Sequence, residues 1–259
     1  MVKPIINYIG NKYRYGKILD DLGLIPKNID KYVEPFVGGA GFLCYLNETR
    51  NLKKIIINDK DCMLINFYKH FKNTPEKFEN VFKYKITSNT FEKYKDCLTN
   101  FKPTLECAIA YFVVKNCSYN SLIAKYKDGS IKSYISKNHV ECMYNKVNYR
   151  KDFINILQKS NIHCKDYKNI IPKNSFVFLD PPYLIKNIEN YYMEHNLSLE
   201  HIYNYFLELV KNGNKVLLTL NYDTIIVKKF FRFKQLVYSK ITKHSNSSQN
   251  LKELIITNY

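Results

Sequence analysis

Five short stretches rich in β-branched and aromatic residues constrain this chain most. They are Tyr32-Val33-Glu34-Pro35-Phe36, Lys54-Ile55-Ile56-Ile57, Phe176-Val177-Phe178-Leu179, Lys215-Val216-Leu217-Leu218-Thr219-Leu220 and residues 251–257. None alternates apolar with polar residues. A strand with one wet face shows that period of two; an unbroken apolar run fits a strand covered on both faces, hence a largely parallel sheet. Helical patterns separate some of the runs, as at 199–211, where Ser198 stands at the N-cap position. Strand and helix in alternation predict an α/β fold. The middle of the chain reads differently. Helical spacing dominates 63–71, 75–82, 90–98 and 104–116, and Asp128-Gly129 then marks a hairpin. The 259 residues therefore divide into residues 1–61 with 161–259, which build the sheet, and an inserted, mostly helical 62–160 that carries the hairpin.

Two strand ends carry chemistry. Val33 to Phe42 includes Gly38, Gly39 and Gly41 where a strand gives way to a helix, so the backbone can turn sharply and approach a ligand. After the next strand comes Asn58-Asp59, a carboxylate placed to accept both hydroxyls of a ribose. Taken alone, a glycine turn also fits a purely structural corner or a dinucleotide site. The second strand end is Asp180-Pro181-Pro182-Tyr183. Two prolines remove two backbone donors and fix φ twice, leaving the Pro181 carbonyl free beside the Asp180 carboxylate. Two adjacent acceptors suit an exocyclic amine with two hydrogens, whose lone pair is otherwise delocalised into a ring. Holding those hydrogens favours a pyramidal nitrogen and stabilises its developing charge. Tyr183 offers a face for a base taken out of its stack.

Composition narrows the partners. The formal charge is +17, from 40 Lys and Arg against 23 Asp and Glu, which favours polyanions and nucleic acid first. The abundance of Lys, Asn, Ile and Tyr expected from AT-rich coding gives the same bias. Seven cysteines, an odd number without Cys-x-x-Cys, predict neither a disulfide framework nor a zinc site and suit a reducing compartment. No cysteine follows a proline, so covalent attack on a ring carbon has no candidate nucleophile. The six histidines are isolated, and no metal constellation is expected. No stretch has the apolar length of a membrane span or a signal peptide, which predicts an intracellular protein with no membrane partner.

Glycine turn, long insertion and Asp-Pro-Pro-Tyr, in that order, resemble the α group of DNA amino-methyltransferases, and most of all the Dam family. The resemblance spans nearly the whole chain. It implies a Rossmann-like methyltransferase sheet that uses S-adenosylmethionine, with residues 62–160 as the target-recognition domain. Residues 6–13 are similar to the family's N-terminal motif, with Tyr8 in place of Trp and Lys12 retained, and both would help hold the cofactor. By the same likeness Phe36 and Gly38 lie beneath the methionine moiety, Asp59 takes the ribose, Asp166 contacts the adenosyl base, and Asp180 borders both cofactor and substrate. Asp180, Pro181, Pro182 and Tyr183 would be catalytic toward N6 of an adenine flipped out of double-stranded DNA. Asn116-Cys117-Ser118-Tyr119-Asn120 resembles the segment whose aromatic wedges beside the flipped base, which gives Tyr119 that role and Asn120, Lys125 and Lys127 a place at the DNA. Members that read GATC carry an arginine just after this segment; here Ser121 to Tyr126 contains none, and Ser133-Tyr134-Ile135 replaces Pro-Phe-Gly. The expected setting is the cytoplasm, on DNA, cell- or virus-encoded, with a cognate restriction endonuclease as a candidate partner. N4-cytosine or RNA methylation, a catalytically idle DNA-binding protein and a dehydrogenase are the alternatives.

Overall fold

The computed structural model describes residues 3–8, 10–83, 85–121, 123–182, 197–244 and 247–259. The chain opens with α1 (Tyr13–Asp21), β1 (Lys31–Glu34), α2 (Gly41–Thr49) and β2 (Lys54–Asn58). The middle holds α3 (Cys62–Asn73), α4 (Glu79–Lys83), α5 (Ser88–Thr99), α6 (Leu105–Cys117), β3 (Ala124–Lys125), β4 (Ile131–Lys132), α7 (Lys137–Tyr144) and α8 (Arg150–Gln158). The sheet resumes with β5 (Ser160–His163), β6 (Phe176–Leu179), α9 (Leu199–Lys211), β7 (Lys215–Asn221), α10 (Thr224–Lys229), β8 (Lys234–His244) and β9 (Ser247–Thr257).

Among the described residues the main sheet has seven strands in the order β5-β2-β1-β6-β7-β9-β8. The first five are parallel, whereas β9 runs antiparallel to both β7 and β8. This is the α/β sheet that the apolar runs predict. The sequence reading passes over β5 and β8, because both are edge strands whose sequences mix polar with apolar residues. From β1 the chain steps outward through β2 to β5, then returns on the other side at β6. The strand order therefore reverses between β1 and β6, and an open α/β sheet leaves a crevice at the carboxyl ends there.

Alternate residues of the central strands feed two cores. Tyr32, Phe176, Phe178, Leu217 and Ile255 join the α1, α2 and α3 side. Val33, Val177, Leu179, Val216, Leu218, Leu254 and Ile256 meet α9 through Ile202, Phe206 and Leu209. Phe42 of α2 stacks on Phe178 with ring centroids 4.0 Å apart, which seats the helix after the glycine turn on β6. Residues of α3, α6 and α8 — Phe67, Phe71, Phe112 and Phe153 among them — belong to the first core, so residues 62–160 pack continuously onto the sheet. The expected hairpin is present but short, pairing Ala124 with Lys132 and Lys125 with Ile131. Ser198 caps α9, accepting from the His201 amide at 3.2 Å. The helix expected over 75–82 is split into a 3-10 turn, Pro75–Phe78, and α4.

One expectation fails. Cys62 and Cys164 form a disulfide across 102 residues of sequence, while Cys44, Cys97, Cys107, Cys117 and Cys142 are free. The cause is the pairing of β2 with β5. The chain leaves both strands at the same end of the sheet, which brings the two Cα atoms to 5.8 Å, a proximity that no local pattern displays.

Asn58 fastens that end. Its buried amide donates to the Pro35 carbonyl and the Lys165 carbonyl, each at 3.0 Å, and its Oδ1 accepts from the Lys165 amide at 3.0 Å. Three segments are thus tied by one side chain. Asn58→Ala would leave those backbone groups unpaired in the interior, at a cost of about 2–4 kcal/mol by the usual desolvation penalties. Urea denaturation of the variant should show this as a lower midpoint at unchanged slope.

Candidate active site

The carboxyl ends of β1, β2 and β6 open into a cavity of about 650 Å³. On one wall the glycine turn follows β1. Gly38 has φ +45°, which glycine adopts freely. Tyr8 lies directly on the turn: a Cβ on Gly38 would meet the Tyr8 ring at 2.9 Å, and one on Gly39 would meet the Tyr8 Cβ at 2.5 Å. These two positions are therefore glycine because of what covers them. The Tyr68 hydroxyl holds the turn from behind, donating to the Gly38 carbonyl at 2.6 Å.

Asp59 extends from the end of β2. Its Oδ2 accepts from the Gly38 amide at 2.9 Å and its Oδ1 from the Asp61 amide at 3.0 Å. Each oxygen keeps a further lone pair. Burial pushes the Asp59 pKa up to about 6, with the Asp61 charge adding to the rise and backbone amides opposing it. Asp61 caps α3 through the Met63 and Leu64 amides and accepts from the Tyr111 hydroxyl at 3.1 Å.

Asp180 follows β6. Lys12 places its ammonium 2.9 Å from Oδ2, and the Thr219 hydroxyl of β7 donates to Oδ1 at 2.7 Å. Lys12 is buried, also donates to the Gly10 carbonyl at 3.3 Å, and stands 3.9 Å from Glu253. Beneath it Glu34 accepts from the Tyr32 hydroxyl at 2.8 Å. Burial holds the Glu34 carboxyl well above the usual range, with the Asp180 and Asp59 charges adding to the effect and the Tyr32 bond opposing it. On the far wall the Phe36 and Tyr167 rings meet at 5.0 Å. Asp166 accepts from the Lys168 amide at 3.0 Å, and the Tyr167 hydroxyl is buried without a partner among the described residues.

The cavity gathers Tyr8, Lys12, Phe36, Gly38, Asp59, Asp166, Asp180, Pro181, Pro182 and Lys125. Tyr183 lies outside the described residues. Tyr119 is 66% exposed, away from the cavity wall, and Lys127 is exposed on the hairpin turn. Asn120 is described by its backbone alone, in the 3-10 turn Tyr119–Ser121. The sequence reading passes over Thr219, Lys115 and the Tyr111–Asp61 pair. Thr219 does leave a trace, as a hydroxyl inside an apolar strand. Lys115 leaves another, as a cation that follows the apolar face of α6. Among the described residues no group of three or more His, Cys, Asp or Glu is arranged to hold a metal ion, and no helix is long and apolar enough to cross a membrane.

A type II methyltransferase, M.MjaIII, of Methanocaldococcus jannaschii is 39% identical over 77 residues, which are 28% of this chain and 26% of that protein. The modification methylase StsI of Streptococcus sanguinis is 36% identical over 75 residues, 29% of this chain and 10% of that protein. The matched regions thus span about a quarter and a tenth of these curated relatives. A crystal structure from Pyrococcus horikoshii, provisionally named an RNA methyltransferase, superposes with a TM-score of 0.42 at 9% identity, covering 94% of this chain and 80% of its own. A family model, the D12 class of N6 adenine-specific DNA methyltransferases, matches residues 8–247, from Tyr8 at the cavity wall to the start of β9. With that match running through the glycine turn, Asp59 and Asp180-Pro181-Pro182, the chain belongs to the D12 class of N6 adenine-specific DNA methyltransferases.

Proposed function

We propose that this chain transfers a methyl group from S-adenosylmethionine to N6 of an adenine flipped out of double-stranded DNA. The observation that carries the reading is the sharing of one cavity by Asp180-Pro181-Pro182, Asp59 and the glycine turn. The donor set fits the cofactor. Asp59 has spare lone pairs for ribose hydroxyls, Tyr8 packs directly on the turn to form one floor with it, and the carboxylates around the cavity suit a cation. When bound, S-adenosylmethionine supplies a methyl group activated by a sulfonium. The residues that would hold it are Tyr8, Phe36, Gly38, Asp59 and Asp166.

The chain's own groups do the rest. Asp180 is oriented by the Thr219 hydroxyl and the Lys12 ammonium, so each of its oxygens has a lone pair left for the amine hydrogens. The Pro181 carbonyl is the second acceptor, and Tyr183 the stacking face. Such fixed acceptors stabilise charge where it develops, without reorganisation. Residues 62–160 are the target-recognition domain in this reading. Exposed Tyr119 wedges into the duplex, Asn120 lies beside it, and Lys125 and Lys127 meet phosphates. The overall charge of +17 supports the same partner. The name of the StsI relative, a modification methylase, suggests a cognate restriction endonuclease as partner. The cytoplasm, on DNA, is the proposed location.

Asp180→Asn should lower kcat by about a hundredfold or more, in the range found when one preorganised transition-state contact is removed. S-adenosylhomocysteine binding should change little. Radiolabel transfer to unmethylated DNA and calorimetric titration measure the two, and full activity in the variant would overturn the assignment.

The pH dependence follows from Asp59. With a pKa of about 6, it loses its charge as pH falls through that value, and a neutral carboxyl is a weaker acceptor of ribose hydroxyls. Affinity for S-adenosylhomocysteine should therefore weaken between pH 7.5 and pH 5. Asp59→Asn should bind more weakly at pH 7.5 and flatten the profile; an unchanged slope in that variant would contradict this role.

A further inference from the structure

One buried cation on the cavity wall has no part in the mechanism above. Lys115 stands in the last turn of α6, one helical turn beyond Tyr111, and is 9% exposed. It lines the same cavity as Asp59 and the glycine turn. Its ammonium sits over the Tyr8 ring, 4.5 Å from the centroid, and Tyr8 is the ring that lies on Gly38 and Gly39. Among the described residues no carboxylate comes within ion-pair distance of it and no acceptor within hydrogen-bond distance. Asp61 and Asp59 act on it only from afar: burial pulls its pKa down, and those two charges pull it back up.

A desolvated ammonium without a direct counter-ion is costly unless something else occupies the pocket. Its position says what that is. Asp59 marks the ribose end of the proposed cofactor site, and the floor of Tyr8 and the glycine turn runs from there to Lys115. The part of an amino-acid-bearing nucleoside that lies beyond its sugar ends in a carboxylate. We propose that Lys115 binds the α-carboxylate of the methyl donor and so fixes the amino-acid end of the cofactor against the Tyr8 floor. The inference rests on the S-adenosylmethionine reading and adds a positioning residue to it.

The test compares two ligands that differ in one group: S-adenosylhomocysteine and its decarboxylated analogue, which keeps adenosine, thioether and amine. Calorimetric titration of the wild-type protein should favour S-adenosylhomocysteine by about ten- to a hundredfold, as one charge-assisted hydrogen bond allows. In Lys115→Met that preference should collapse to within about twofold, through weaker binding of the carboxylate ligand alone. Lys115→Arg should restore most of it. Equal weakening of both ligands in Lys115→Met would assign the lysine a merely structural role and overturn the proposal. A wild-type protein that binds both ligands equally overturns it as well, whatever the variants do. A wild-type protein that binds neither removes the cofactor reading itself, a different outcome from a lost preference.

Discussion

Carboxyl groups converge at the carboxyl ends of four parallel strands, and the rest of the site is arranged around that crowding. Glu34, Asp59, Asp61, Asp166 and Asp180 all line one cavity in a chain whose net charge is +17. Two such charges a few ångströms apart, in a medium of intermediate dielectric, oppose each other by roughly a few kcal/mol. Each carboxyl is managed differently. Asp180 has an ammonium and a hydroxyl, Asp59 two backbone amides, Asp61 a helix N-terminus and a phenol, and Asp166 the amide of its own turn. Glu34 has the Tyr32 hydroxyl and a raised pKa. Burial raises the Asp59 pKa to about 6, and its backbone amides only partly offset that rise.

The central strands were readable because burial on both faces removes polar alternation, and Phe176 to Leu179 shows the case at its purest. The edges were not. In β8 and β5 the sequence must serve a wet face or a sheet margin, so the apolar signal weakens below that of a loop. The Asp180-Pro181-Pro182 corner was also legible, since proline acts on its own backbone and needs no distant partner. Its supports were hidden for the opposite reason. Thr219 reaches Asp180 because β7 is the next strand, and Lys12 does so from the far end of the chain; neither relation has a period or a spacing. Cys62 and Cys164 make the same point across the β2–β5 pair.

The continuity of the first core bears on how the middle segment acts. Tyr111, Lys115 and Asn116 lie on α6, whose other side chains pack with α3 against the sheet. Asn116 in turn accepts from the Asn7 amide at 2.9 Å and from Lys146 at 2.7 Å, tying α6 to the segment that carries Tyr8. A group on α6 therefore keeps its register with the glycine turn. The two-stranded hairpin joins the same core through Ile131, which is buried and whose amide donates to the Thr99 hydroxyl at 3.2 Å, while Tyr126, Lys127 and Asp128 at its turn are exposed.

Lys12 has a physical task beside Asp180 that the resemblance alone did not indicate. The resemblance puts it among the cofactor contacts, and its ammonium is buried against Asp180. That pairing fixes which lone pairs of Asp180 face the cavity. Oδ2 uses one on Lys12 and Oδ1 one on Thr219, which leaves one on each oxygen and a single orientation of the carboxylate plane. In a crowded acidic pocket the ion pair therefore acts, together with the Thr219 bond, on the orientation of the Asp180 carboxylate.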